Sequence, residues 1–230
     1  LHDALPIYYE KRLASMRNER STFDSHGREC AEFITPRRGR FYKTDRNKGD
    51  KRYKSIINST ASKAHKVCKA GMLSGAMSSS MPWFAVEVPD EDLMQYQPVK
   101  LWLGAVRKKL LRIFSDSNLY GMASQLIGEE LTFGNAYMSH VDDYEDVARF
   151  YTHTFGSFYI SQNSRLVVDT TAREFQWTAQ MIVDKFGAGA SSVARDAYDR
   201  GDYNAWFDVV HFILPNDEYN PNLAHSKYKR

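Results

Sequence analysis

The sequence predicts an α+β fold, in which helices come first and a mostly antiparallel β part with short helices follows. Before residue 135, apolar residues recur every three or four positions, which is the period of a helix face. After residue 137, apolar and polar residues alternate in short runs, which is typical of half-buried strands. With 43% hydrophobic and 13% aromatic residues the chain can bury a core, so a disordered chain is excluded.

The first predicted helix has one apolar face and ends at a proline. The residues of that face recur at helical spacing or its multiples: Tyr9, Leu13, Met16, Phe23, Cys30 and Ile34. Pro36 ends this helix, because proline cannot donate the backbone hydrogen bond that a helix interior needs.

Residues 36–57 form a basic segment that contains glycines but no apolar period, so we expect a loop. Positions 37–54 hold nine cationic residues against two acidic ones, in a chain whose net charge is only +3. Such a block is a solvated loop or an interaction surface. The cationic residues are the candidate contacts to another subunit or to a nucleic acid: Arg37, Arg38, Arg40, Lys43, Arg46, Lys48, Lys51, Arg52 and Lys54.

A helix rich in small residues is predicted over 59–76, with Asn58 or Ser59 as its cap. One of its faces consists of small or flexible side chains that let another backbone approach closely: Ala61, Ala64, Cys68, Met72 and Ala76. The sequence leaves open whether this face packs in the core or meets another subunit.

The next predicted elements are a short strand over 84–88, a helical turn at 89–92 and a helix over 99–114. The apolar stripe of the long helix is Trp102, Val106, Leu110, Ile113 and Phe114. We expect one largely buried cluster that contains Trp83, Phe84, Trp102, Val106, Phe114, Leu126 and Ile127. A subunit contact is the alternative role for the aromatic members of this cluster.

The second half is predicted to alternate strands and short helices. Asn118 should cap a helix, and residues 137–175 should be mainly β, with a solvated hairpin turn at Asp142–Asp146. Alternation predicts a half-buried strand over 166–173 and another over 206–214. Two short helices, 178–186 and 191–200, should each end at a glycine.

The chemistry-bearing motifs of common enzyme classes are absent from the sequence. It has no phosphate-binding loop and no glycine-rich dinucleotide motif, and no serine lies in a nucleophile-elbow context. His140 with the nearby carboxylates lacks the ligand spacing of a calcium loop. Cys30 and Cys68 are too few for a disulfide scaffold or a structural zinc site. We therefore predict no catalytic residue, no cofactor and no metal.

A set of short motifs, taken in order, resembles one protein family. They are Pro36-Arg37-Arg38-Gly39-Arg40 after a helix, the small-residue helix, Pro82-Trp83-Phe84, residues 114–120 between two helices, Phe133-Gly134-Asn135-Ala136, and the strand region up to Phe175. This order resembles the head-to-tail connecting (portal) proteins of short-tailed, podovirus-type bacteriophages. The resemblance covers about residues 8–215.

The resemblance implies a structural subunit and no enzymatic activity. Members of that family form a ring, a dodecamer, at the head-tail vertex of the virion, and double-stranded DNA is packaged and ejected through it. The implied partners are further copies of the chain, capsid proteins, terminase and tail adaptor proteins, with assembly in the bacterial host cytoplasm and no membrane. Within the family, residues 8–230 would form the N-terminal wing region, and most of the stem and clip would lie outside this sequence.

The two ends of the sequence carry separate expectations. Residues 1–7 match the in-frame translation of a widely used sequencing adapter, so we expect a non-native scar, which native sequence in overlapping raw reads would refute. The sequence stops in a polar stretch soon after a strand-like run, so we expect an N-terminal fragment of a longer protein.

A second function is open on the sequence alone. The basic segment 37–54 could make a soluble nucleic-acid-binding module through sequence-independent phosphate contacts. In that case the segment would be the whole function instead of one loop of a ring subunit.

Overall fold

A computed structural model describes residues 4–41 and 56–215. The helices are α1 (Ala4–Phe33), α2 (Thr60–Ala76), α3 (Glu91–Gln95), α4 (Gln97–Asp116), α5 (Leu119–Phe133), α6 (Ala179–Phe186) and α7 (Ser192–Asp199). The strands are β1 (Tyr137–Asp143), β2 (Val147–His153), β3 (Phe158–Gln162), β4 (Val168–Thr178) and β5 (Trp206–Ile213). The α+β prediction is confirmed.

The chain divides into two compact units. Among the described residues, the first unit contains 4–28, 39–41 and 156–215, which include most of α1, the strands β3–β5 and the helices α6 and α7. The second unit contains residues 29–38 and 56–155, which include α2–α5 and the strands β1 and β2. No helix in the described part of the chain is long and apolar enough to cross a membrane.

The first unit is built on an antiparallel sheet in the order β3-β4-β5. Its register aligns Tyr159, Ala172 and Phe212 across the three strands, so these residues share one face of the sheet. Leu13 and Met16 of α1 pack on that face and complete a small core. Phe23 was assigned to the same helix face, but it is exposed, because the spacing of Leu13 and Met16 brings Arg20 to the sheet instead.

The opposite face of this sheet is covered by α6 and α7. Ile182, Ala190 and Ala194 form its buried core, with Trp177 and Phe207 packed against them. The side chain of Thr178 accepts a hydrogen bond from the Met181 N–H and caps α6. This cap fixes the start of α6, and Gly187, at a φ of 52°, ends the helix as predicted.

Arginines of α1 attach this helix to the sheet by polar contacts. The Arg20 guanidinium lies 3.9 Å from the centroid of the Tyr159 ring and donates a 2.8 Å hydrogen bond to the Phe158 carbonyl. Arg17 forms an ion pair with Glu174 of β4, and the Tyr159 hydroxyl donates a 3.0 Å hydrogen bond to the same carboxylate. Burial raises the pKa of the Tyr159 phenol above its usual value of 10.0, because the phenolate would lose its hydration.

Tyr159→Phe is expected to change how stability depends on alkaline pH. A phenol with a raised pKa in the folded state contributes stability below the unfolded pKa, and that contribution is lost as pH rises above about 10. The variant retains the ring under Arg20 but has no group to titrate. Urea unfolding at about pH 8 and about pH 11 should therefore show a smaller alkaline loss for the variant than for the parent chain.

The exposed Tyr203 supplies the control for this experiment, because its ring is 46% accessible. Tyr203→Phe should keep the full alkaline loss. An equal alkaline loss in Tyr159→Phe and in the parent would contradict the assignment of this effect to the buried phenol.

In the second unit, α2 packs against α5 through a different face from the one that the small residues suggested. His65 Nε2 lies 3.0 Å from the Gly128 carbonyl, and a Cβ at Gly128 would meet the Lys69 side chain at 3.1 Å. The absence of a side chain at Gly128 is what lets these longer side chains reach the helix. The small-residue face is consequently exposed, so the close-packing interpretation of it is wrong within the chain: Ala61, Ala64, Cys68, Met72 and Ala76.

The face of α4 that is buried also differs from the predicted face. Leu103 is 5% exposed, whereas Trp102 is 63% exposed, so the predicted burial of Trp102 is wrong. Half-buried Val106, Leu110 and Phe114 follow Leu103 at helical spacing. Successive helical residues point about 100° apart, so a face centred on Leu103 turns Trp102 toward solvent.

The other aromatic members of the predicted cluster do come together. Trp83 and Phe84 have ring centroids 4.8 Å apart, and each lies within 6.2 Å of the Phe114 ring. The Trp83 indole N–H donates a 3.2 Å hydrogen bond to the Tyr120 hydroxyl. These rings are half-buried. Ile127 of α5, another member of the predicted cluster, is buried.

The predicted strand over 84–88 is extended but has no strand partner among the described residues. Val86 and Val88 are half-buried while Ala85 and Glu87 are exposed, which is the alternation of a strand. The helical turn that follows is confirmed as α3, because Asp90 accepts hydrogen bonds from the backbone N–H groups of Asp92 and Leu93.

Strands β1 and β2 form a two-stranded antiparallel ribbon, which confirms the predicted hairpin. Asn118, the residue before α5, was predicted to cap that helix with its side chain, but it bonds to β2 instead. Its amide oxygen accepts from the Phe150 N–H and its amide nitrogen donates to the Phe150 carbonyl, each at 2.8 Å. The Asn118 amide therefore pairs with β2 as a residue of a neighbouring strand would.

Candidate interface residues

Three of the nine candidate residues of the basic segment lie in the described part of the chain. Arg37 is exposed, while Arg38 and Arg40 are half-buried. The other six candidates fall outside the described residues, within positions 42–55: Lys43, Arg46, Lys48, Lys51, Arg52 and Lys54.

The turn that follows α1 positions Arg38. The backbone N–H of Thr35 donates to the Ala31 carbonyl at 3.1 Å, which extends the last helical turn beyond Phe33. Pro36 lacks a donor, and the Arg38 N–H then closes a turn on the Thr35 carbonyl at 2.8 Å. The proline and the turn together end the helix before the arginine pair of the sequence motif.

Arg38 is paired inside its own unit with a carboxylate that is almost completely buried. Its Nε donates to Glu129 Oε1 at 2.5 Å, and its NH1 lies 3.4 Å from Gln125 Oε1. The Glu129 side chain is 1% exposed and the Arg38 side chain is 37% exposed. Charge-assisted hydrogen bonds of this kind are about twice as strong as neutral ones.

Glu129 also receives hydrogen bonds from the segment after β2. The Thr154 hydroxyl lies 3.1 Å from both carboxylate oxygens, and the Phe155 backbone N–H donates to Oε2 at 3.0 Å. The Phe155 ring stacks on Phe133 of α5 with centroids 5.1 Å apart. Both oxygens of Glu129 thus accept hydrogen bonds from the chain, and this carboxylate joins the turn after α1 to the segment after β2.

Arg40 lies in the first unit and also contacts its own chain. Its NH1 donates a hydrogen bond to the backbone carbonyl of Glu174 in β4. Gly156 lies against the same residue with a φ of 93°, and a Cβ there would be 3.0 Å from the Arg40 backbone nitrogen. Only glycine combines that backbone conformation with so close an approach at low cost.

Glu129 is the buried partner of Arg38 that the sequence analysis missed. A usable signal is present, since Glu129 belongs to a mostly apolar helix and a carboxylate is fully buried only when it is paired.

The acidic hairpin at 142–146 forms a capped turn instead of a ligand cage. The Asp143 carboxylate accepts from the backbone N–H groups of Asp146 and Glu145, which lower its pKa from the usual value, and the Arg149 charge lowers it further. Arg149 also reaches Asp146, at 3.3 Å. Among residues 4–41 and 56–215, no group of three or more His, Cys, Asp or Glu side chains could hold a metal ion.

Comparison with known proteins places these features in a family context. The family model described as bacteriophage head to tail connecting protein matches residues 8–230. A portal protein of Salmonella phage epsilon15 is 36% identical over 220 residues, which cover 95% of this chain and 40% of that protein. A probable portal protein of Bordetella phage BPP-1 is 34% identical over 212 residues, which cover 92% of this chain and 38% of that protein. The chain thus spans about two-fifths of the length of these curated relatives.

Proposed function

This chain belongs to the family of bacteriophage head-to-tail connecting proteins, and on that premise we propose that it is a structural subunit of a phage portal ring. The observation that carries the proposal is the similarity to two phage portal proteins over more than nine-tenths of the chain. Copies of the subunit would meet through two different faces, because heterologous contacts close a ring. We take the ring to be a dodecamer through which double-stranded DNA is packaged and ejected.

The proposed place of the chain is the head-tail vertex of the virion, with assembly in the cytoplasm of the bacterial host. Residues 8–230 would form the wing, the outer part of each subunit. The expected partners are capsid proteins, terminase during packaging and tail adaptor proteins afterwards. These partners follow from the proposed ring and from the two described portal relatives.

We assign the basic segment to protein contacts and not to the DNA passage. A strongly basic wall would hold the duplex through its phosphates and hinder sliding. Arg38 and Arg40 already bond to Glu129 and to the Glu174 carbonyl, which supports a structural role for this end of the segment. The exposed Arg37 would face a neighbouring subunit or another vertex protein.

The proposal is tested by the mass of the assembled full-length protein. Native mass spectrometry and electron microscopy should show a closed ring, and the same preparation should neither hydrolyse ATP nor cleave DNA when magnesium is supplied. A monomer or dimer that binds DNA with a steep salt dependence would contradict the ring and favour the nucleic-acid-binding module.

A nuclease control separates the structural role from a metal-dependent one. If magnesium-dependent cleavage were observed and lost in the variant with both Asp142→Ala and Asp143→Ala, the structural assignment would fail. Because Asp143 accepts two backbone hydrogen bonds and pairs with Arg149, circular dichroism of the double variant must first show that the subunit still folds.

A further inference from the structure

The second unit carries a small cleft with an apolar floor and a basic rim. It lies between α4 and the extended residues 85–87, with Val86, Met94 and Leu103 in its lining and a volume of about 230 Å³. Lys100 and Arg107 line it from the same face of α4, about two helical turns apart, and neither has an ion-pair partner among the described residues. This volume is below the range of drug-sized ligand pockets, so the cleft suits a single side chain better than a cofactor.

The wall of this cleft has unused hydrogen-bonding capacity. Residues 85–88 are extended, yet their backbone groups make no backbone hydrogen bond within the described part of the chain. Glu87 is the one acidic side chain in the lining, against the two cations. The cleft therefore offers a net positive charge and an unpaired edge to an approaching segment.

The tip of the β1–β2 ribbon has the complementary character. The Tyr144 side chain at the tip is fully exposed, at 109% of its reference accessibility. Asp143 and Asp146 are paired with Arg149, whereas the exposed Asp142 and Glu145 have no ion-pair partner among the described residues. The tip thus presents one aromatic ring between two unpaired carboxylates.

We propose that the Tyr144 tip of one copy inserts into the basic-rimmed cleft of a second copy, where Lys100 and Arg107 pair with Asp142 and Glu145. This inference rests on the proposed ring and names the two surfaces that would join its subunits. An exposed tyrosine that enters a small apolar cleft is the kind of anchor that dominates interface energies. Complementary charge at the rim then fixes the orientation of the partner.

A second copy is the occupant that charge and geometry favour. Tip and cleft are two different surfaces of the same unit, so their contact between copies is heterologous, as a ring requires. A nucleic acid would use the two cations but not the apolar floor, and it would leave the Tyr144 tip without a role.

The test reverses the charge of each surface separately in the full-length protein. The tip reversal is Asp142→Lys with Glu145→Lys, and the cleft reversal is Lys100→Glu with Arg107→Glu. Each alone should raise the monomer fraction at least about tenfold, because like charges then face each other in every contact. The control is Lys108→Glu with Lys109→Glu, which makes the same charge change on exposed residues of α4 that do not line the cleft.

Mixing the two reversal variants gives the decisive measurement. A basic tip fits an acidic cleft and an acidic tip fits a basic cleft, so the mixture should form rings in which the two variants alternate. Native mass spectrometry of variants with distinct masses would count both kinds of subunit in one ring. The rescue also shows that neither reversal has unfolded its chain.

A milder substitution tests the same contact without changing charge. Tyr144→Ala should raise the monomer fraction about tenfold, while Tyr144→Phe, which keeps the ring, should assemble as the parent does. Neither should alter the thermal unfolding of the subunit, since the side chain is fully exposed.

The opposing results are distinct from one another. Normal rings from both reversal variants would overturn this inference alone. If a chain that carries both reversals assembled normally but the mixed variants did not, the contact would be intramolecular and the inference would be overturned. A cleft reversal that weakens only DNA binding and leaves the rings intact would also overturn the inference. A parent protein that forms no ring would overturn the proposed function together with this inference.

Discussion

Leu103→Ala is expected to lower the free energy of unfolding by about 2–4 kcal/mol, whereas Trp102→Ala should change it by no more than about 0.5 kcal/mol. Leu103 is 5% exposed, so its truncation removes buried apolar surface and leaves a cavity beside α4. Trp102 is the larger residue, but its side chain is 63% exposed and loses little packing when truncated. Urea unfolding of the two variants measures both differences directly.

The adjacent positions act as controls for each other, because both substitutions place alanine in the same helix turn. The propensity change is therefore small and similar in the two variants. A larger loss for Trp102→Ala than for Leu103→Ala would contradict the face that α4 buries. In an assembled ring, an added effect of Trp102→Ala on subunit affinity would show that this exposed ring meets a partner.

Arg38→Ala is expected to lower the free energy of unfolding by about 2–3 kcal/mol. Removing one partner of a buried pair costs about 3–5 kcal/mol, because the remaining charge stays buried without compensation. Arg38 itself is 37% exposed, so solvent already screens part of the pair and the expected loss is smaller. Glu129 would keep its hydrogen bonds from Thr154 and Phe155, which limits the loss further.

Arg37→Ala is the matched control, since it removes the same charge one residue earlier from an exposed side chain. It should stay within about 0.5 kcal/mol of the parent. A double-mutant cycle with Glu129→Gln isolates the pair, and Arg38→Ala should cost less in that background. Equal costs in the two backgrounds would show that Arg38 acts through something other than the Glu129 carboxylate.

The elements that sequence reasoning predicted correctly depend on local signals. Alternation over 166–173 predicted a half-buried strand, and Thr170 and Ala172 are indeed buried in β4. Glycine at 187 predicted the end of α6, where a positive φ is required. Such signals act within a few residues, so they do not depend on which surfaces later pack together.

The errors arose where packing between distant elements decides the outcome. Helical spacing placed Trp102 and Phe23 on buried faces, but both are exposed. At Phe23 the helix instead turns Arg20 to the sheet, where its guanidinium lies over the Tyr159 ring. Hydrophobicity alone cannot anticipate that an arginine will occupy a core-facing position by stacking.

At the candidate interface residues, too, local signals were read correctly while contacts between distant residues were missed. Charge density correctly drew attention to the segment that begins at Arg37, but it could not supply the partner of Arg38. Glu129 lies far along the sequence, and only folding brings the two together. The prediction of a portal subunit came from the order of motifs and not from any reactive group.

The pairing of Asn118 with Phe150 bears on how the β1–β2 ribbon resists slippage and aggregation. A ribbon edge with open amide and carbonyl groups can template another strand, and a one-residue shift would exchange the two faces of β2. The Asn118 amide fills both groups at one point and ties the register of the hairpin to the first turn of α5. A single side chain thus covers the edge at one point and fixes the position of the ribbon, so the orientation of the Tyr144 tip is set from the middle of β2.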